Sequence, residues 1–285
     1  MEAHKSVVIL FYKFVRIKDP AALRDSQYTL AQSLNLKGRL LIAPEGINGT
    51  LEGAADTIAK YQIALRADDR FADIGFKESA STKEAFKKLK VRVRPEVVTL
   101  GAGDFDVARD TAKEVSADDL EAMYVGGEDF VVLDVRNDYE IATGKFEKTV
   151  NPGLQNFRDL PAKLPELAHL KDKKVVAVCT GGIRCEKATC LLKKEGFTNV
   201  YQLKDGIHTY LQRHPGKRFK GTLFVFDNRM VTSVVETHQR EIIGICFACG
   251  KKCEDYYSDD RVRPSRKVIC CAECCKRHAE LRTCA

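Results

Sequence analysis

The chain has 285 residues, 44% of them apolar and 31% charged, with a formal net charge of +7. That length is ample for two or more domains, and the composition excludes a disordered, collagenous or membrane-embedded chain. The longest early apolar run, Val7 to Tyr12, is too short to span a bilayer and has no signal-cleavage pattern, so the expected location is the cytoplasm, away from membranes.

The first hundred residues read as one α+β domain. "SVVILFYKFV" is a strand, and "DPAALRDSQYTLAQSLN" is a helix capped by Asp19 with Pro20 in its first turn. "GRLLIAPEGINGTLEG" reads as two strands around a turn, with Asn48-Gly49 expected to supply positive φ. A second helix, "ADTIAKYQIALRAD", and two further strands, "ADIGFKESA" and "LKVRVRPEVVTL", complete a ferredoxin-like order over 1–100. In the last strand Lys90, Arg92 and Arg94 alternate with Val91 and Val93, so period two places the cations on one face and the valines in the core. Lys83, Lys87 and Lys88 precede them. A solvated strand face and a track for phosphates, with Lys88, Lys90, Arg92 and Arg94 as its contacts, are both open readings.

Residues 101–111, "GAGDFDVARDT", read as a linker. From 112 to 215 strands and helices alternate: "SADDLEAMY" helix, "FVVLDVR" strand, a long loop through "NPGLQNFRDLP", "KKVVAVC" strand, "CEKATCLLKKEG" helix, "NVYQLKDG" strand, "IHTYLQRH" helix. Such alternation implies an α/β domain with a parallel sheet covered on both faces.

The eleven cysteines divide this chain functionally. Residues 1–178 have none, three fall between 179 and 190, and eight between 246 and 284. In a cytoplasmic chain they point to thiol chemistry and metal binding, not to a disulfide framework. Cys179 follows a β-branched strand, where ligands of open parallel sheets sit. Thr180, Gly181, Gly182 and Ile183 come next, with glycines that allow the amides to turn inward, and then Arg184, just before a helix starting near Cys185. Amides, helix dipole and guanidinium together stabilise a thiolate, so Cys179 reads as reactive. Cys185 reads either as a resolving thiol for an oxidised Cys179 or as a helix-start residue packed inward, and Cys190 reads as core.

Residues 216–285 form a small cysteine-rich region. Cys246/Cys249 and Cys271/Cys274 are two C-x-x-C knuckles separated by 21 residues, the spacing of a four-thiolate structural zinc site. Cys253, Cys270, Cys275 and Cys284 are competitors, but none supplies another C-x-x-C in the last cluster. His278 and Glu280 have no second histidine to complete an iron site and read as surface helix. From Arg213 to the end there are 15 Lys+Arg against 9 Asp+Glu, a surplus permissive of nucleic acid. No dinucleotide glycine fingerprint follows the first strand of a sheet, so no nucleotide cofactor is expected.

"LDVRNDYE" (Asp134, Arg136, Glu140), "VVAVCTGGIRCEKA" and "GFTNVYQLKDGI" resemble the rhodanese superfamily across 112–215. The resemblance implies a Cys179 able to carry a persulfide, with Arg184 and the loop amides around it. Four residues separate Cys179 from Arg184, the short loop of the sulfur-handling members, whereas the related phosphatases have one more. Together with "APEGINGTLEG", "KLKVRVRPEVVTLG", "NPGLQNFRDLP" and "FKGTLFVFDNRM", the whole arrangement is similar to the tRNA uridine hydroxylase family along nearly the full chain. That resemblance implies an acylphosphatase-like amino-terminal domain and oxygen-dependent formation of 5-hydroxyuridine at the tRNA wobble position. It further implies Cys179 as the essential cysteine, tRNA as the partner and molecular oxygen as co-substrate. No obligate protein partner is implied. A rhodanese-type sulfurtransferase and a non-catalytic RNA-binding adaptor are the competing readings.

Overall fold

In the computed structural model, which describes residues 6–81, 83–103, 105–233, 240–262 and 265–283, the chain falls into two units, Met1–Thr99 and Leu100–Ala285. The first runs β1 (Ser6–Phe14), α1 (Pro20–Ser33), β2 (Lys37–Ala43), β3 (Gly46–Gly53), α2 (Ala55–Arg66), β4 (Phe76–Ser81), β5 (Leu89–Val93). Asp19 caps α1 by accepting from the Ala22 amide at 2.9 Å, as its sequence announces. The sheet order is β4-β1-β3-β2-β5. Ile9 and Phe11 of β1, Leu40 and Ile42 of β2 and Ile47 and Leu51 of β3 meet Leu23, Ala31, Ile58, Tyr61 and Leu65 of the two helices in one buried core. On the opposite face the buried Glu52 carboxylate accepts from the amides of Ala85 and Phe86 at 2.8 and 2.9 Å. That fastens the approach to β5 over Val8.

Two local expectations are corrected. The β2–β3 turn is Pro44-Glu45, and Asn48-Gly49 lie inside β3. Gly49 is there for space, since a Cβ would meet Leu40 and Phe11 side-chain atoms at 2.4 and 2.6 Å. β5 is an edge strand, parallel to β2. Its Val91 is therefore only half-buried and Val93 is exposed, because an edge at the sheet's rim is covered along part of its length.

The second unit opens with a helical turn, α3 (Val107–Asp110), where a linker was expected. There follow β6 (Lys113–Val115), α4 (Ala117–Val125), β7 (Val131–Asp134), α5 (Asp138–Ile141), β8 (Gly144–Phe146) and β9 (Thr149–Val150). Next come α6 (Leu160–Lys163), β10 (Val175–Val178), α7 (Ile183–Lys194), β11 (Val200–Leu203) and α8 (Gly206–Arg213). Ser116 and Asp119 form a reciprocal capping box on α4. The sheet order is β6-β11-β10-β7-β9, every pairing parallel. Strand β10 is central and wholly buried, which is what its unbroken Val-Val-Ala-Val run requires.

The remaining elements are β12 (Phe219–Gly221), β13 (Leu223–Phe224), β14 (Val231–Thr232), β15 (Tyr256–Asp259), β16 (Arg266–Ile269), α9 (Ala272–Cys275) and β17 (Leu281–Thr283). Strand β12 pairs with β8, and β16-β15-β17 form a small sheet. Phe224, Tyr256, Val268, Ile269 and the cysteines form this region's own core, against which Tyr139 of α5 packs. Among the described residues, no helix is long and apolar enough to cross a membrane.

Candidate active site

Cys179 stands at the carboxyl end of β10, the central strand, and is fully buried. The chain turns through Thr180, Gly181 and Gly182 into α7, which begins at Ile183, two residues earlier than its sequence suggests. Gly182 has φ +101°, open to glycine but costly for other residues. No side chain caps this helix. The Gly182 amide instead donates to the Cys179 sulfur at 3.1 Å, so the thiol takes a place usually held by a capping oxygen. A second glycine closes the loop from the other side. Gly206, φ +71°, approaches so closely that a Cβ would lie 2.7 Å from the Cys179 carbonyl oxygen and from the Gly182 nitrogen. The Ile207 and His208 amides donate to the Cys179 and Thr180 carbonyls at 2.9 and 3.0 Å. The loop is thus held by both helices that begin beside it.

Electrostatics favour the thiolate. Burial opposes ionisation of Cys179, but the Cys185 thiol hydrogen bond, the Arg184 charge and the Cys185 and Arg184 amides together outweigh it and bring the thiol down to about 6. Cys185 is buried against Cys179, and burial together with its hydrogen bond to that sulfur holds its own proton on. Cys185 therefore packs inward, and its thiol touches the Cys179 sulfur. Cys190 is buried further along α7.

Arg184 is buried at the start of α7 and turned onto Glu140. Its two terminal nitrogens donate to the Glu140 carboxylate at 2.6 and 2.7 Å, and Thr180 Oγ1 donates to the same carboxylate at 3.2 Å. Asp134 and Arg136 form a second, fully buried pair at 2.7 Å, with Arg136 also donating to the Gly144 carbonyl at 2.7 Å. The motif "LDVRNDYE" contains Glu140, but its partner lies 44 residues away, and only the fold shows the pair. Two contacts brace α5 and the turn after it from the carboxyl-terminal region: the Tyr256 hydroxyl donates to the Tyr139 carbonyl of α5 and lies 3.1 Å from Thr143 Oγ1 beyond its end. A further contact had no sequence signal: the Phe226 ring lies over the Arg184 guanidinium, 5.6 Å from its centroid.

The sulfurs of Cys246, Cys249, Cys271 and Cys274 all lie within 4.8 Å of one another. Four thiolates around a tetrahedral zinc, each about 2.3 Å away, stand about 3.8 Å apart. The Cys249–Cys271 separation is 3.8 Å. This set can hold a metal ion and suits zinc, and Arg277 donates to the Cys274 sulfur at 3.3 Å from outside it. Cys270 lies 4.0 Å from Cys246 without joining the set. Cys253 and Cys275 also stand apart from it. Cys284 lies outside the described residues. His278 and Glu280 sit in a turn before β17, not in a helix, and bond each other at 2.9 Å.

On the first unit Lys88, Arg92 and Arg94 are exposed and Lys90 half-buried. Among the described residues none of the four is in an ion pair. Register sets Arg39 of β2 beside Lys90 on the same face, which lengthens the basic row.

The fold and this loop define a rhodanese-type protein with added modules at both ends. Family profiles described as UPF0176 acylphosphatase like domain, Rhodanese-like domain and Rhodanase C-terminal match residues 6–97, 116–213 and 220–285. A tRNA uridine(34) hydroxylase of Onion yellows phytoplasma (strain OY-M) is 38% identical over 97% of this chain and 94% of its own length. Proteins of the same name from Cytophaga hutchinsonii and Staphylococcus carnosus (strain TM300) are 40% and 38% identical, over 95% and 96% of this chain and 83% and 89% of their own lengths. The chain belongs to the tRNA uridine(34) hydroxylase family.

Proposed function

We infer that this protein is a tRNA uridine(34) hydroxylase, which places the oxygen of 5-hydroxyuridine on the wobble base. The observation that carries the reading is similarity to hydroxylases of that name along nearly the full length of both chains, in three separate organisms. The loop supplies the chemistry. A thiolate at Cys179, held near neutrality, adds to C6 of uracil and leaves C5 electron-rich, the carbon that gains oxygen. Molecular oxygen supplies one atom to C5, and its other atom leaves as water at the expense of a two-electron donor. Loss of the C5 proton and departure of the thiolate from C6 restore the ring. Cys185 holds the Cys179 sulfur by hydrogen bond, and Arg184 and the loop amides stabilise its charge. Lys88, Lys90, Arg92 and Arg94 contact phosphates, which dominate affinity for RNA. Zinc at the four cysteines is structural, since four thiolates leave no open position. A tRNA substrate places the enzyme in the cytoplasm.

A sulfurtransferase reading draws on one observation, the Gly182 amide aimed at the Cys179 sulfur, which suits a persulfide equally well. Nucleoside mass spectrometry separates the two. Cells lacking this protein and any parallel hydroxylation route are complemented with wild type or Cys179→Ala. Recovery of 5-hydroxyuridine-derived wobble nucleosides with the wild type alone is the expected result. An unchanged nucleoside profile, with rapid transfer of sulfur from thiosulfate to cyanide, would leave sulfur transfer as the function.

A further inference from the structure

Three aromatic rings are exposed among the described residues: Tyr28, Phe226 and Phe247. Of these, only Phe226 has its ring against a residue at the start of α7 beside the cysteine loop, the Arg184 guanidinium. It is 43% exposed, while its neighbours Phe224, Val225 and Asp227 are buried. Its backbone is held firmly. Strands β13 and β14 pair antiparallel on either side of it, Val225 donates to the Met230 carbonyl at 2.8 Å, and Met230 donates to the Asp227 carbonyl at 3.0 Å. Asp227 in turn accepts from the Arg229 amide and guanidinium, at 2.9 and 2.6 Å. The Phe224 ring meets Phe226 edge-on at 5.2 Å and supports it from the core side. A large apolar ring is therefore presented to solvent by a hairpin tip held by hydrogen bonds, beside Arg184 at the start of the helix that follows the Cys179 loop.

We propose that Phe226 is a stacking platform for a planar pyrimidine base delivered to the Cys179 loop, with Arg184 beneath the ring as its electrostatic support. The inference rests on the tRNA reading above. An aromatic ring without a polar group recognises the flat face of a base and not its edge, and it can hold a base only when that base is unstacked from its neighbours. A wobble nucleotide in an anticodon loop meets that condition, and turning it outward costs less than extrusion from a duplex. The guanidinium pinned by Glu140 faces the π-cloud and keeps the ring from collapsing into the loop. Phe226 is accordingly a positioning residue: it orients the base while the thiol reacts.

The chain contains no tryptophan, so Phe226→Trp introduces a single fluorophore at the proposed contact. This variant is titrated with a labelled anticodon stem-loop carrying uridine 34, and with the same stem-loop carrying an abasic site there. Label anisotropy reports binding and tryptophan emission reports stacking. Emission quenched by the uridine loop but not by the abasic loop supports the platform. Binding of both loops with unmoved emission overturns it and leaves the tRNA reading intact. Failure of either loop or whole tRNA to bind removes the tRNA reading and the platform with it. As a second variant, Phe226→Leu keeps an apolar contact on Arg184 but has no π-face. It is expected to weaken binding of the uridine loop about tenfold and leave the abasic loop unchanged. Equal affinity of Phe226→Leu and wild type for the uridine loop also overturns the proposal.

Discussion

Glu140 receives both terminal nitrogens of Arg184, at 2.6 and 2.7 Å, in a site where neither side chain meets more than a trace of water. The Arg184 charge that acts on the Cys179 sulfur is therefore already paired, and the pair sets how much of it Cys179 feels. Glu140→Gln keeps the shape and removes the compensating anion. A buried pair broken on one side costs on the order of 3–5 kcal/mol. The uncompensated guanidinium then favours the thiolate more strongly. Thermal melting should fall, and the midpoint for Cys179 alkylation should move below its wild-type value. A midpoint that stays or rises would show that the Arg184 charge does not reach the sulfur.

The titration of Cys179 is itself a prediction. With the thiol down to about 6, alkylation should rise with pH through 6 and level off by about pH 7, where an ordinary thiol is still mostly protonated. The same shift links pH to stability. A folded pKa below the unfolded value adds stability that is complete above the unfolded thiol pKa and lost as pH falls through 6. Urea melts should show stability rising across that window in wild type and a shallower rise in Cys179→Ala. Cys185→Ser, whose hydroxyl is a different donor from the thiol it replaces, should displace the alkylation midpoint, and an unmoved midpoint would remove Cys185 from the list of groups acting on the sulfur.

Much of this site is legible before folding, and the reasons are local. The run Val175–Val178 reads as a buried strand because it has no polar alternation, and the glycines after Cys179 announce a tight loop. The knuckle spacing draws four cysteines from eight, and those four sulfurs cluster. What escapes the sequence depends on distant parts of the chain. Glu140 meets Arg184 across 44 residues, and Phe226 reaches Arg184 from another region altogether. Val93 alternates like a core residue but lies exposed, because period two specifies a face and says nothing of whether the strand is at an edge. Asn48-Gly49 resembles a hairpin turn, yet the close packing of Phe11 and Leu40 decides the role of Gly49.

The four-cysteine set predicts one zinc per chain. Cys246→Ser or Cys274→Ser should lose it, while Cys253→Ser, outside the set though buried nearby, should retain it. Measured zinc content decides this directly. Stripping the ion with a chelator should loosen the carboxyl-terminal region to protease, since five of the ten buried residues of its core are cysteines. Full zinc in Cys246→Ser would show that another thiol, with Cys270 the nearest at 4.0 Å, takes its place.

The basic row of β5 gives a prediction that separates RNA binding from ordinary solvation. Lys90 is half-buried and Arg92 exposed on one face, neither is in an ion pair among the described residues, and Arg39 lies beside Lys90 in register. Cations that only solvate the strand can be replaced with no effect on any ligand. Cations that neutralise phosphates release counterions on binding, so each one removed should weaken tRNA affinity and flatten its salt dependence. Lys90→Ala with Arg92→Ala should lower the slope of log affinity against log salt by about 1–2 and weaken all tRNAs alike, since phosphate contacts carry no sequence information. Both substituted side chains stand clear of the helix-covered core, so the fold should tolerate the change. A double variant with wild-type affinity and slope would assign the row to solvent and leave the tRNA contacts to other parts of the protein.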